Sequence, residues 1–244
     1  LYWHDSRNNL ASIAAKIAAI KEKTDLIVLP EMFTSGFTMN PGEVAESMEG
    51  TAVAWMQEMA SVQNAAICGS MVIKEGNYFF NRFLFVNPNG VIEYYDKKHT
   101  FTLAGEDKVY KAGSKKTTIS YKGWKISPLI CYDLRFPVWS RNTNDYDVLI
   151  YVANWPEPRI SAWDALLKAR AIENMAYCIG VNRIGEDKNG HKYVGHSSVY
   201  DSLGNELLFM TEEKTATLTL LKSDIQTNRS KLRFLEDRDA FNLI

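Results

Sequence analysis

The sequence predicts an α/β domain in which the strands form a mixed sheet, or two sheets packed face to face, with helices on the outside. Three observations predict it. The first part of the chain alternates helical spacing with short apolar runs, two later stretches carry hairpin turn signals, and strand-like runs outnumber helical ones. A pure doubly wound fold would need helix-linked crossovers where this chain has hairpins.

The elements follow in order. From Asn8 to Lys23, Leu10, Ile13, Ala14, Ile17 and Ile20 recur at the spacing of one helix face. Leu26-Ile27-Val28-Leu29 reads as a buried strand that stops at Pro30-Glu31. Residues 52–62 are again helical, and 66–73 read as a strand. Between Tyr78 and Tyr95, two strand-like runs flank Asn87-Pro88-Asn89-Gly90, a turn signal. A second hairpin over 117–130 turns at Lys122-Gly123 and delivers the chain to Cys131. Residues 148–153 read as a strand, and 161–176 as a helix with Leu166, Ala169, Ile172 and Ala176 inward. Further strands are expected at 177–181, 197–200, 206–210 and 216–221. The opening Leu1-Tyr2-Trp3-His4-Asp5 reads as the end of a strand, with residues expected before it.

At 244 residues and 46% hydrophobic, the chain can bury a sizeable core as one globular domain. Lys plus Arg number 28 against 29 for Asp plus Glu, so no basic face for nucleic acid is expected and a small, near-neutral partner fits best. No apolar run approaches the roughly 20 residues that span a bilayer. Cys68, Cys131 and Cys178 form no disulfide framework, which fits a reducing compartment and a cytoplasmic setting.

Three residues stand where apolar strand runs give way to polar sequence, the place where ligands gather in open α/β sheets. Glu31 ends one run, Cys131 ends Ser127-Pro128-Leu129-Ile130, and Lys97 follows Val91 to Asp96. Singly, each has a plain structural reading: a buried small thiol, a solvated carboxylate, a solvated ammonium. Together they make an acyl-transfer apparatus. A thiol attacks as thiolate, so a half-buried carboxylate can take its proton, and a lysine can favour the ionised sulfur and stabilise the oxygen of a tetrahedral intermediate. The backbone N–H of Tyr132, the residue after the nucleophile, is a natural second donor to that oxygen.

The segments Leu29-Pro30-Glu31-Met32-Phe33, Lys97-Lys98-His99-Thr100-Phe101 and Ile130-Cys131-Tyr132-Asp133-Leu134-Arg135-Phe136-Pro137 resemble the three signature motifs of the nitrilase superfamily of carbon-nitrogen hydrolases. Val152-Ala153-Asn154-Trp155-Pro156 and residues 168–174 are similar to its bacterial omega-amidase branch. The resemblance spans nearly the whole chain. It implies a single carbon-nitrogen hydrolase domain over residues 1–244, folded as a four-layer α-β-β-α sandwich of two mixed sheets with outer helices. It implies Glu31 as general base, Lys97 as oxyanion stabiliser and Cys131 as nucleophile, with Glu106 as a supporting carboxylate. It also implies a homodimer or higher homo-oligomer, for which the helix at 162–175 and the C-terminal tail are candidate contacts.

The activity implied is hydrolysis of the terminal amide of a small 2-oxo acid amide, 2-oxoglutaramate-like, through a cysteine thioester and without metal or organic cofactor. The four histidines show no zinc-binding spacing. Arg135 and Arg159 could hold the far carboxylate of such a substrate, or could pair with Asp133 or Glu157. Phe33, Phe37, Tyr132 and Trp155 are candidate pocket walls. Three rivals stay open: a carbamoylase or aliphatic amidase with the same triad, a non-catalytic binding protein on the same fold, and a papain-like pairing of Cys131 with His99.

Overall fold

The computed structural model describes residues 1–243. Helix α1 (Ser6–Ala18) opens the chain, capped by the Asp5 carboxylate, which accepts from the Asn8 N–H. It is followed by β1 (Leu26–Val28), α2 (Pro41–Val44), α3 (Thr51–Gln63), β2 (Ala66–Glu75), β3 (Tyr78–Val86) and β4 (Ile92–Asp96). Then come α4 (Glu106–Val109), β5 (Ile119–Tyr121), β6 (Trp124–Ile130), α5 (Pro137–Ser140), β7 (Val148–Ala153), α6 (Ile160–Asn174) and β8 (Tyr177–Asn182). The chain finishes with β9 (Ile184–Glu186), β10 (Lys192–Val194), β11 (Ser197–Tyr200), β12 (Glu206–Met210) and α7 (Lys222–Leu232).

The strands form a four-stranded sheet in the order β1-β2-β3-β4, a six-stranded sheet in the order β12-β11-β8-β7-β6-β5, and the small hairpin β9-β10. Both large sheets are mixed. β1 runs parallel to β2, and β6, β7 and β8 are mutually parallel, while the remaining pairs are antiparallel. Side chains alternate between two cores, as a period of two requires. On β2, Ala66 and Cys68 join the core between the sheets, whereas Ile67, Met71 and Ile73 pack under α1 and α3. On β3, Phe83 and Phe85 face inward, and Leu84 and Val86 face the helices. Trp163 and Leu167 of α6 cover the six-stranded sheet from its other side. The layering is therefore α-β-β-α, because each sheet carries apolar side chains on both faces and needs a cover on each.

Both expected hairpins form, over β3-β4 and β5-β6, the second turning through Lys122 (φ 46°) and Gly123 (φ 79°). Three expectations are corrected. Residues 216–221 form no strand; they run along a cleft of about 500 Å³ beside β1, α1 and β8, and pair with no neighbour. A strand needs a ladder to a partner edge, and β12, the last strand of the six-stranded sheet at this end, pairs only with β11. The buried stripe of α6 is Trp163, Leu167, Arg170, Ala171 and Asn174, while Ile172 is 45% exposed. Two polar residues occupy that stripe because their partners lie beneath it: Arg170 Nη2 donates to the Leu134 carbonyl at 2.6 Å, and Asn142 N–H donates to Asn174 Oδ1 at 2.8 Å. Leu1–Asp5 is no strand end but a turn, with His4 at φ 52°.

The topology also decides where the candidate residues go. β1 and β4 run in the same direction, since two antiparallel steps separate β4 from β2, so Glu31 and Lys97 emerge at one end of their sheet. Cys131 and Asn154 leave the carboxyl ends of the parallel neighbours β6 and β7 in the facing sheet. None of Glu31, Lys97, Glu106 or Cys131 lines the cleft beside β1.

Candidate active site

Glu31, Lys97 and Glu106 converge in one buried cluster, each at most 1% exposed. Lys97 Nζ lies 3.0 Å from Glu31 Oε1 and 2.9 Å from Glu106 Oε2. An ammonium has three N–H donors, and Lys97 directs them at Glu31 Oε1 and at both oxygens of Glu106, the latter at 3.1 and 2.9 Å. Burial alone would lower the Lys97 pKa, but Glu106, Glu31 and Cys131 outweigh it and hold the ammonium well above its ordinary value. Glu106 moves upward, chiefly because burial penalises its charge and with a further push from Glu31, while Lys97 opposes the shift. The main-chain N–H of Phe101 donates to Glu106 Oε2 at 2.5 Å, anchoring the short helix α4 against the lysine segment.

Two asparagines complete the cluster, and sequence reasoning did not assign either to it. Asn81 donates through Nδ2 to Glu31 Oε1 at 2.8 Å and to Glu106 Oε1 at 3.3 Å. It lies mid-strand on β3, level with Lys97, whose N–H donates to its carbonyl at 3.0 Å; no local sequence signal marks such a position. Asn154 directly follows β7, where the strand-end rule that selects Glu31 and Cys131 also applies.

Cys131 begins a 3-10 turn (Cys131–Arg135) at φ 45°, a left-handed conformation uncommon for a residue with a Cβ. Its thiol feels the charges of Glu31, Lys97 and Glu106. Burial, and then the Glu31 charge, push the thiol well above its ordinary pKa, against the pull of Lys97. Burial and the two carboxylates outweigh the one ammonium and favour the protonated sulfur. Tyr132 is the second residue of the turn, where backbone N–H groups lack partners within a helical segment. His99 is not paired with the sulfur: its Nδ1 lies 2.8 Å from Asp133 Oδ1.

The sequence matches the carbon-nitrogen hydrolase family over residues 2–231. The chain belongs to that family. It is 44% identical to omega-amidase YafV of Escherichia coli strain K12, a match covering all of this chain and 95% of that protein. It is 35% identical to the 2-oxoglutaramate amidase of Bacillus subtilis strain 168, over 75% of this chain and 72% of that one. The crystal structure of XC1258 from Xanthomonas campestris, a CN-hydrolase superfamily protein with an arsenic adduct in its active site, superposes with a TM-score of 0.97 at 39% identity, covering 99% of this chain and 95% of that one. Nit3 of Saccharomyces cerevisiae superposes at a TM-score of 0.82 with 26% identity, covering 93% and 89%. The protein is thus a hydrolase of C–N bonds, on a nitrilase-type four-layer sandwich.

In this carbon-nitrogen hydrolase the candidate substrate residues divide. Phe33 is fully buried in the core under α3, 6.2 Å from the Trp55 ring, and is no pocket wall. It alternates inward because Glu31 and Met32 turn the chain, with Met32 at φ 43°. Phe37 is half-buried, its ring centroid 5.2 Å from Lys97 Nζ. Trp155 Nε1 donates to the Arg159 carbonyl at 2.7 Å, and the Arg135 guanidinium lies 5.0 Å from the Trp155 ring. Arg159 lies 5.2 Å from the ring of Phe101, which in turn packs 4.9 Å edge-on against Tyr132. Among the described residues neither arginine pairs with Asp133 or Glu157; Asp133 is committed to Tyr95, His99 and Ile130. Among the described residues no three His, Cys, Asp or Glu side chains converge as metal ligands.

Proposed function

We propose that this chain is an omega-amidase that hydrolyses the terminal amide of a small 2-oxo dicarboxylic acid monoamide such as 2-oxoglutaramate, releasing ammonia and the diacid. One observation carries the chemistry: Glu31, Lys97 and Glu106 form one buried hydrogen-bonded cluster whose charges act directly on the Cys131 thiol. Cys131 attacks the amide carbon while Glu31 takes the thiol proton. Lys97 and the Tyr132 backbone N–H receive the oxyanion. Glu31 returns the proton to the departing nitrogen, ammonia leaves, and a thioester remains. Water, deprotonated by Glu31, then attacks the thioester carbon, and the proton passes back to the sulfur as the acid departs.

The names of the relatives support the substrate class, and so do two arginines with no carboxylate partner beside the aromatic wall of Trp155, Phe101 and Tyr132. Arg159 is half-buried and Arg135 exposed, and a guanidinium without a counter-ion is ready for a carboxylate fork. Homo-oligomerisation and a cytoplasmic setting belong to the same reading. Exposed Ile172 on α6, beside the Leu203-Gly204 turn, and exposed Phe234 near the C-terminus support a contact surface; three free cysteines support a reducing compartment. Among the described residues no helix is long and apolar enough to cross a membrane.

The test is ammonia release from 2-oxoglutaramate against N-carbamoyl amino acids and simple aliphatic amides, with mass spectrometry of enzyme quenched during turnover. An acyl adduct on the Cys131 peptide with 2-oxoglutaramate as the preferred substrate is the expected result. Preference for a carbamoyl substrate would assign the same site to a carbamoylase, and no turnover of any amide would leave a binding protein.

A further inference from the structure

Asp133 and His99 sit in the signature segments yet have no part in the chemistry above. Asp133 is fully buried, and its carboxylate accepts four hydrogen bonds. Oδ2 takes the Tyr95 hydroxyl at 2.8 Å and the Ile130 N–H at 3.0 Å; Oδ1 takes the His99 N–H at 3.0 Å and faces His99 Nδ1 at 2.8 Å. Each carboxylate oxygen of Asp133 thus meets two partners, and His99 reaches it through both main chain and ring. The Tyr95 hydroxyl itself accepts from Trp139 Nε1 at 3.0 Å and from the Lys98 N–H at 3.1 Å. The His99 ring lies flat on Phe136, with centroids 3.7 Å apart and planes 3° from parallel.

These contacts join the segment on either side of Lys97 to the segment on either side of Cys131. The bond from Ile130 N–H to Asp133 closes the turn that holds Cys131 at φ 45°. Such a backbone persists only where its surroundings over-determine it. The bonds from Tyr95 and His99 bracket Lys97 from both sides along its own chain. We propose that Asp133 and His99 form a clamp that sets the position of the Lys97 ammonium relative to the Cys131 thiol, as positioning residues that never touch substrate. The clamp matters only if Cys131 and Lys97 act as proposed above.

Steady-state kinetics of Asp133→Asn, His99→Ala and His99→Asn, with Cys131→Ala as control, test this, together with melting temperatures and the pH profile of Cys131 alkylation by iodoacetamide. Asp133→Asn sets an amide N–H₂ against two donors and should lower kcat by about a hundredfold with KM within about threefold, the loss expected of roughly 1 Å of misplacement. His99→Ala should lose about tenfold, and His99→Asn, whose Nδ2 can stand in for Nδ1, should recover most of it. In Asp133→Asn and His99→Ala alkylation should need higher pH, because the thiol loses Lys97 while Glu31 and Glu106 remain. If Asp133→Asn fails to fold, the half-buried His99 pair carries the test. Folded variants with wild-type kcat and an unmoved alkylation profile would overturn the clamp. Equal impairment of His99→Ala and His99→Asn with an unmoved profile would do so too. Turnover by Cys131→Ala would instead overturn the reaction the clamp serves.

Discussion

Asn154 grips Glu31 at both ends: its main-chain N–H donates to the Glu31 carboxylate at 2.8 Å, and its side-chain amide donates to the Glu31 carbonyl at 2.7 Å. The residues are 123 apart in sequence and lie at the carboxyl ends of β1 and β7, in different sheets. The sandwich therefore closes through the proposed base itself. Asn154→Ala keeps the main-chain donor but frees the base from its backbone anchor, so kcat should fall by about tenfold with KM little changed. Asn154→Asp should cost more, since a second carboxylate against Glu31 drives one of the pair to protonate. Initial-rate measurements with 2-oxoglutaramate rank the two.

Glu31→Gln should separate reactivity from catalysis. The Glu31 charge favours the proton on Cys131, so its removal lowers the thiol pKa. Iodoacetamide should then label Cys131 faster at neutral pH, while amide turnover falls by at least about a hundredfold for want of a proton carrier. Slower labelling in this variant would contradict the electrostatics described above. Cys68 and Cys178, both buried and pushed up by burial alone or chiefly so, should stay unlabelled in the folded protein.

Lys97→Met should remove turnover and also weaken the fold, because Glu31 and Glu106 would face each other without a counter-charge. Breaking a buried pair on one side costs about 3–5 kcal/mol. The deficit has a sign in pH. A carboxyl whose folded pKa is raised binds its proton more tightly folded than unfolded, so its contribution is present in acid and is lost as pH rises. Glu106 already shifts in that direction, and loss of Lys97 removes the charge that opposes the shift. Urea denaturation should therefore show a smaller deficit at pH 5 than at pH 7, and Glu106→Gln added to Lys97→Met should recover part of it.

Arg159→Met should raise KM for 2-oxoglutaramate by about tenfold to a hundredfold, the scale of one hydrogen bond to a charged group. A neutral aliphatic amide, which lacks the far carboxylate, should be little affected. Arg135, the more exposed of the two, should show the smaller effect. Equal KM increases for charged and neutral amides would assign both residues to wall packing rather than recognition.

Gly113→Ala should disturb the site from outside it. A Cβ there would stand 2.1 Å from the Asp96 carbonyl oxygen, and the Gly113 N–H donates to the Lys97 carbonyl at 2.8 Å. Relief requires the backbone on one side of Lys97 to move, so a loss of about 1–3 kcal/mol in stability should accompany a fall in kcat. Thermal melting and kinetics on the same preparation would show the two together.

Taken alone, the residue order determined the α/β class, both hairpins and the strand-end positions of Glu31, Lys97 and Cys131, because apolar periodicity and turn chemistry are local properties, while the four layers came from the motif resemblance. Motif resemblance added the family and placed Glu106 near the lysine. Tertiary structure alone decided that Asn81 and Asn154 hold the carboxylates, that Phe33 is core, that α6 buries Arg170 and Asn174 in place of Ile172, and that burial and Glu31 push the Cys131 thiol pKa upward. Each of these depends on partners from distant segments. A side chain's burial, its hydrogen bonds and its proton affinity are set by what surrounds it in space, and that is decided only when the two sheets close on one another.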